Sequence, residues 1–240
     1  MSFRTITLAI LLSSLVTGTA FADEAAIRKN MKVRFPDAAV KSVTKTPYAG
    51  LYEVFMEGQI VYTDENADYL FLGNVIDVKK QRNLTEERVA KLTQIKFDSL
   101  PLDSAIKVVK GNGKRKIAVF ADPDCPFCRK FETEMKSVTD ITIYTFLFPI
   151  DSLHSGATEK AKAIWCAPDR AKAWEEWIIQ GTAPKNGGDC ETPVVKVAAL
   201  AKKLGVSGTP TVFFANGRRV PGAIPAAQVE EILSTIFPEK

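Results

Sequence analysis

Apolar positions along the chain change register, and each register predicts a different element. Ile27, Met31 and Phe35 stand four apart, the spacing of one helix face, and predict an amphipathic helix over about 23–35. Short apolar runs follow at 39–43, 51–56, 60–63, 69–72 and 75–78. Gly50, Gly58, residues 64–66 and Gly73 interrupt them, which is the pattern of an antiparallel meander. No cysteine, histidine or carboxylate cluster marks this part for catalysis, so it reads as a packing or assembly module.

A polar stretch beginning at Lys79 comes next. Asn83 with Glu86 three residues on is a capping-box variant, and Val89, Leu92 and Ile95 continue at helical spacing. A helix is predicted over 83–97, with Glu86, Glu87, Arg88 and Lys91 on its solvated face. After a less regular stretch at 98–113, strand and helix patterns alternate: strand 116–121, helix 126–138, strand 141–148. Helical patterns at 157–166, 171–179 and 193–204 form an insertion, followed by strand 211–215, strand 218–220 and helix 226–236. Asn216-Gly217 predicts a type I′ hairpin turn. The order describes a mixed sheet with helices against it, in an α+β chain of two domains. The boundaries drawn are 23–80 for the first domain, 81–100 for a linker helix and 101–240 for the second.

Residues 1–22 stand apart. Arg4 opens them, an apolar stretch runs from Ile6 to Val16, and Ala20-Phe21-Ala22 matches a small-x-small cleavage site. They read as a secretory signal removed after Ala22, because the apolar stretch falls short of the roughly 20 residues a bilayer needs. A formal net charge of +4 over 240 residues, with no concentrated basic patch, speaks against nucleic acid as a partner.

Export changes the meaning of the four cysteines, since disulfides persist outside a reducing cytosol. Cys166 and Cys190 close a loop holding Pro184, Asn186, Gly187 and Gly188. A bridge there would stabilise the fold by roughly 3 kcal/mol and is read as structural. Cys125 and Cys128 close almost no loop, so a bridge between them serves chemistry rather than stability. Strand, turn, Cys-x-x-Cys and amphipathic helix is the layout of a thioredoxin-like redox site. Pro126 suits the first helical position, and Phe127, Phe131, Met135 and Val138 form an apolar stripe. Zinc would need a second close pair, whereas the remaining cysteines lie far downstream and His154 is the sole histidine. No metal and no cofactor beyond the Cys125–Cys128 disulfide is expected.

At the helix start, Cys125 faces unpaired N–H groups and the positive end of the helix dipole, so it is read as the nucleophile. Its pKa is expected at about 4–6.5, against a free value of about 8.5. Cys128, one turn further in, is the resolving thiol. Asp124 opposes thiolate formation, whereas Arg129 and Lys130 would favour it if their side chains fold back. Phe127 is read equally as a contact surface or as partial core. His154 is expected to be exposed and structural, and Trp165, Trp174 and Trp177 to pack between helices.

Over the mature chain the sequence resembles the periplasmic thiol:disulfide interchange proteins of the DsbC/DsbG family. The resemblance rests on Phe120-Ala-Asp-Pro-Asp-Cys-Pro-Phe-Cys128, Lys162-Ala-Ile-Trp-Cys166, Gly205-Val-Ser-Gly-Thr-Pro210, Asn216-Gly217 and Val220-Pro-Gly222. It implies a cystatin-like N-terminal dimerisation domain, a linker helix and a thioredoxin-like catalytic domain with a helical insertion. It also implies a cis peptide before Pro210, beside the redox cysteines. Pro126, Phe127, Thr209 and Pro210 would then bind the client. The second cysteine pair favours the DsbC, or isomerase, branch; Pro-Phe between the redox cysteines departs from the Gly-Tyr of the best-known isomerase. Further implications are a V-shaped homodimer, with 69–72 as the candidate pairing edge, and misfolded exported proteins with non-native disulfides as clients. A membrane thiol reductase of the DsbD type would be the electron donor, and chaperone activity would accompany isomerisation. A DsbG-like reductase of single oxidised cysteines, a net oxidase and a chaperone with secondary redox chemistry are the competing readings.

Overall fold

The computed structural model describes residues 19–238, which divide into two compact units between Gly73 and Asn74. Most of the expected leader lies outside the described residues. In the first unit, helix α1 (Thr19–Arg34) precedes strands β1 (Val40–Lys45), β2 (Tyr52–Met56), β3 (Gln59–Thr63) and β4 (Leu70–Phe71). The strands form one antiparallel sheet in sequence order. Ile27 and Met31 of α1 are buried with Val43, Tyr52, Val54 and Ala67. Phe35 leaves this stripe and is partly exposed, because the helix ends at Arg34. Strand β4 lies at the sheet edge, and Tyr69, Leu70, Phe71 and Leu72 are all exposed there.

The expected strand at 75–78 does not extend that meander. Strands β5 (Ile76–Asp77) and β6 (Arg82–Asn83) pair only with each other, and they belong to the second unit. Hydrogen bonds from Leu84 N to the Val75 carbonyl and from Val75 N to Thr85 Oγ1 tie them to the next helix. The unit division thus falls earlier than residue 80.

Helix α2 (Leu84–Leu92) is capped by Asn83, whose side chain accepts the Glu86 N–H at 3.0 Å. It is shorter than 83–97, and much shorter than a linker helix over 81–100. Beyond its end, the Gln94 side chain and Ile95 N bond the carbonyls of Asn216 and Gly217. Those partners compete with the next helical turn, and the chain passes instead into a 3-10 turn at Phe97–Ser99.

The second unit is built on strands β7 (Ile106–Lys110), β8 (Arg115–Ala121), β9 (Ile141–Leu147), β10 (Thr211–Phe214) and β11 (Arg219–Pro221). Their order is β11-β10-β8-β9-β7, with β8 and β9 parallel and the other neighbours antiparallel. Strand β7 falls in the stretch read as irregular. It is an edge strand with Ile106 buried and Val109 exposed, so its hydrophobic alternation is weak. Helix α3 (Pro126–Glu134) links β8 to β9 and finishes in a 3-10 turn. Helices α4 (Ala157–Trp165), α5 (Arg170–Gln180) and α6 (Val194–Leu204) lie between β9 and β10, and α7 (Ala226–Ile236) closes the unit.

The central strands are buried on both faces, and alternate residues of β8 divide between two cores. Ile117, Val119 and Ala121 join α3, α5 and α7 on one side. Ala118 and Phe120 join Tyr144, Phe146, Val197 and Phe213 on the other. Phe120 stacks on Phe146 at 5.0 Å between centroids and meets Phe213 edge-on. Truncating such a ring to alanine costs about 3–5 kcal/mol.

The hairpin between β10 and β11 differs from a type I′ turn. Gly217 takes φ +83°, whereas Asn216 keeps a negative φ; the Gly217 N–H bonds the Phe214 carbonyl at 2.8 Å. A Cβ on Gly217 would lie 1.8 Å from the Ile95 carbonyl oxygen. The close approach of Gln94 and Ile95, together with the positive φ, accounts for this glycine.

Candidate active site

Strand β8 ends at Ala121 and helix α3 begins at Pro126, leaving Asp122-Pro-Asp-Cys125 as the connecting turn. Cys125 is the N-cap of α3, with φ −72° and ψ 119°, and Pro126 follows as the first helical residue. Proline costs nothing there, since its missing N–H would have had no intrahelical partner. The N–H groups of Phe127 and Cys128 remain available and act on the Cys125 sulfur.

The two thiols, both free, are driven apart in acidity. Cys125 falls from 9.0 to about 5: the Cys128 thiol hydrogen bond is the main cause, opposed by burial and aided by Thr209 and the two backbone N–H groups. Burial pushes Cys128 far above the ordinary thiol range, and its bond to Cys125 acts in the same direction. One sulfur ionises at neutral pH while its neighbour keeps its proton and donates it as a hydrogen bond.

Thr209 reaches the same place from the other end of the chain, its carbonyl oxygen 3.4 Å from Cys125 Sγ. The Thr209–Pro210 peptide is cis, and Pro210 accepts a 2.7 Å bond from Gly222 N. Pro126 is exposed, and Phe127 is 62% exposed, outside the apolar stripe that Phe131, Met135 and Val138 bury. Cys166 and Cys190 are bonded to each other, 5.7 Å apart at Cα, where α4 ends.

The fold gathers further residues at the site that are far apart in the sequence. Asp122 is 0% exposed: its carboxylate accepts the N–H of Asp124 at 2.8 Å and of Ile150 at 2.7 Å. His154 Nδ1 lies 3.1 Å from the same carboxylate, so this histidine, expected to be exposed, is only 23% so. Asp122 raises the His154 pKa most, with the negative charges of Cys125 and Asp124 adding to it. Lys160 Nζ pairs with Asp124 at 2.6 Å, and Trp177 Nε1 donates to the Pro123 carbonyl at 2.9 Å. Arg129 does not fold back toward the thiolate; its Nε donates to the Ile178 carbonyl. Trp165 and Trp174 are buried between helices, and Trp174 Nε1 also bonds Glu132, a carboxyl whose pKa burial raises. An aspartate at the end of an apolar strand was the available hint of Asp122, but only the fold shows what it binds.

An acidified thiol at a helix start, with a buried second thiol one turn further in and a cis-proline loop opposite, has the chemistry for thiol–disulfide exchange. Residues 102–237 match the thioredoxin-like domain family, and residues 18–86 match the disulfide bond isomerase protein N-terminal domain. The probable thiol:disulfide interchange protein DsbC of Bordetella parapertussis is 42% identical over 205 residues, which cover 85% of this chain and 72% of that protein. The thiol:disulfide interchange protein DsbC of Escherichia coli is 30% identical over 223 residues, 90% of each chain. A crystal structure of a disulfide interchange protein from Neisseria gonorrhoeae, 48% identical, covers 58% of this chain and 100% of its own with a TM-score of 0.55. Similarity of this extent over both halves makes the chain a member of the DsbC family, thioredoxin-like thiol:disulfide oxidoreductases that act as periplasmic disulfide isomerases.

Proposed function

We propose that this chain reshuffles or reduces incorrect disulfides in exported proteins, with Cys125 as nucleophile and Cys128 as resolving thiol. The observation that carries the reading is the geometry of the pair: Cys125 caps α3 with its Sγ 3.4 Å from the carbonyl of the cis-proline loop, and Cys128 lies buried one turn behind it. That arrangement lowers the pKa of the first thiol and raises that of the second. The Cys125 thiolate attacks one sulfur of a client disulfide, forming a mixed disulfide and releasing the other client sulfur as a thiolate. A different client thiolate then attacks the client sulfur of that mixed bond, forming a new client bridge and returning Cys125 as thiolate. No net electrons move. When no client thiol arrives, Cys128 loses its proton and attacks Cys125 Sγ; the client leaves reduced and the Cys125–Cys128 bridge forms. A membrane thiol reductase of the DsbD type restores the two thiols.

Client segments lie over Pro126, Phe127, Thr209 and Pro210. The exposed Phe127 ring supplies sequence-tolerant apolar contact, and the Thr209–Pro210 loop presents backbone to an extended strand. Contact of this kind also supports holding unfolded chains, a chaperone activity beside the exchange. Removal of the leader after Ala22 places the mature chain in the periplasm. Two copies join along the Leu70–Phe71 edge, whose exposed apolar side chains and unpaired strand favour pairing with a second copy.

Refolding of a scrambled, multi-disulfide client tests the proposal. Recovery of client activity is expected with the full protein and lost with Cys125→Ala; equal recovery by both would overturn the assignment of the nucleophile.

A further inference from the structure

Three consecutive residues of the turn before Cys125 are each held by a different side chain of the segment between β9 and β10. His154 sits on the Asp122 carboxylate, Trp177 donates to the Pro123 carbonyl, and Lys160 pairs with Asp124. The grips support one another, because Lys160 Nζ also lies 5.1 Å from the centroid of the Trp177 ring. Arg129 extends the clasp, binding α3 to the last turn of α5 through the Ile178 carbonyl. Strand β8 and helix α3 are adjacent in the chain and need no insertion to meet. The insertion therefore contributes something other than connectivity.

Charge identifies what that is. Asp124 directly precedes Cys125, and its side chain is only 18% exposed. An unpaired carboxylate there would oppose the negative charge that develops on the neighbouring sulfur, in surroundings where water screens poorly. Asp122 presents a second buried carboxylate, answered by His154 and two backbone N–H groups. Of the two basic groups at the helix start, Arg129 is committed to Ile178, and Lys130 is exposed and forms no ion pair with Asp124 among the described residues. Compensation of Asp124 thus falls to Lys160.

We propose that Lys160 is a positioning residue for disulfide exchange: by pairing with Asp124 it removes an opposing charge from the nucleophile's turn and fixes that turn against the insertion. The inference rests on Cys125 being the attacking thiol. Lys160 is itself 38% exposed, so solvent screening limits the effect to a few-fold change in reactivity rather than orders of magnitude.

Alkylation of the reduced, full-length protein with iodoacetamide at pH 5, with modification of Cys125 followed by mass spectrometry, tests this. Lys160→Met is expected to slow Cys125 alkylation by about fivefold, the loss of thiolate at pH 5 when its pKa rises from about 5 to about 6. Asp124→Asn/Lys160→Met, which removes both charges, is expected to return to within about twofold of the parent. Asp124→Asn alone should react at least as fast as the parent, and it keeps the test open if Lys160→Met folds poorly. A rate for Lys160→Met within twofold of the parent would overturn the proposal. So would a double variant as slow as Lys160→Met, or an Asp124→Asn slower than the parent. Parent protein that resists alkylation at pH 5–7 would instead defeat the assignment of Cys125 itself, separating the two failures.

Discussion

The Thr209 carbonyl oxygen lies 3.4 Å from Cys125 Sγ although 84 positions separate the two residues. Sheet pairing brings this about. Thr211 of β10 pairs with Phe120 of β8, antiparallel, so the start of one strand lies beside the end of the other. The loop before β10 and the turn after β8 then share one corner of the sheet. A peptide laid along the Thr209–Pro210 loop, as proposed for the client, would pass within reach of Cys125 Sγ.

The acidity of Cys125 predicts a pH-dependent stability confined to the reduced protein. With its pKa lowered from 9.0 to about 5 in the folded state, the folded protein binds fewer protons than the unfolded chain between those values. Stability therefore rises with pH across that window, is complete above about 9 and is lost as pH falls through about 5. His154, raised by Asp122, acts oppositely, favouring the fold below its unfolded value and losing that contribution as pH rises through its folded one. Comparing thermal unfolding of reduced and oxidised protein from pH 5 to 8, below the pH at which unfolded Cys128 ionises and opposes the effect, isolates the thiolate. The reduced-minus-oxidised Tm difference should increase with pH; a flat difference would refute the low Cys125 pKa.

Loss of the Cys166–Cys190 bridge should destabilise the fold without reference to chemistry. The bridge spans a sequence separation of 24, for which loop-closure entropy predicts about 3 kcal/mol. Cys166→Ser/Cys190→Ser is expected to lower the denaturant midpoint by the corresponding amount, measured against the intact oxidised protein. An unchanged midpoint would contradict a stabilising role.

Gly217→Ala should be costly for a surface hairpin. The added Cβ meets the Ile95 carbonyl at 1.8 Å, and the backbone stands at φ +83°. Both effects oppose the substitution, and a loss of more than about 1 kcal/mol is expected. Equilibrium unfolding in urea would measure it; a change under about 0.3 kcal/mol would mean that Gln94 and Ile95 do not press on the turn.

Phe127→Ser separates client contact from folding. The ring is 62% exposed, so stability should stay within about 0.5 kcal/mol of the parent. Client KM in disulfide reduction should rise several-fold, as expected when an exposed aromatic anchor is removed at a cost of about 1 kcal/mol. A parent-like KM would remove Phe127 from the binding surface.

Several elements were legible because their causes are local. The Asn83 cap, the strand before Cys125 and the helix after it each depend on residues within a few positions. Misreadings arose where a distant partner intervened. Residues 83–97 carry helical spacing, yet Gln94 and Ile95 leave the helix to bind Asn216 and Gly217. Asn216-Gly217 matches a two-residue turn, yet the same contact and the Phe214–Gly217 bond set a different one. Strand β7 lies in a stretch with little hydrophobic alternation, because it is an edge strand with one half-wet face. His154 looked remote from Cys125, since nothing in its own neighbourhood reveals a buried aspartate 32 positions earlier.

The amino-acid order alone determined that Cys125 heads a helix, that Pro126 begins it, and that Cys128 follows one turn later, because short-range sterics and backbone hydrogen bonding decide such features. Tertiary structure decided what surrounds the sulfur: the Thr209 carbonyl, the burial of Cys128, the Asp122–His154 contact and the pairing of Lys160 with Asp124. Those depend on sheet pairing and on an insertion packed back over the turn. Desolvation and charge act through space, and distance in space is what folding supplies.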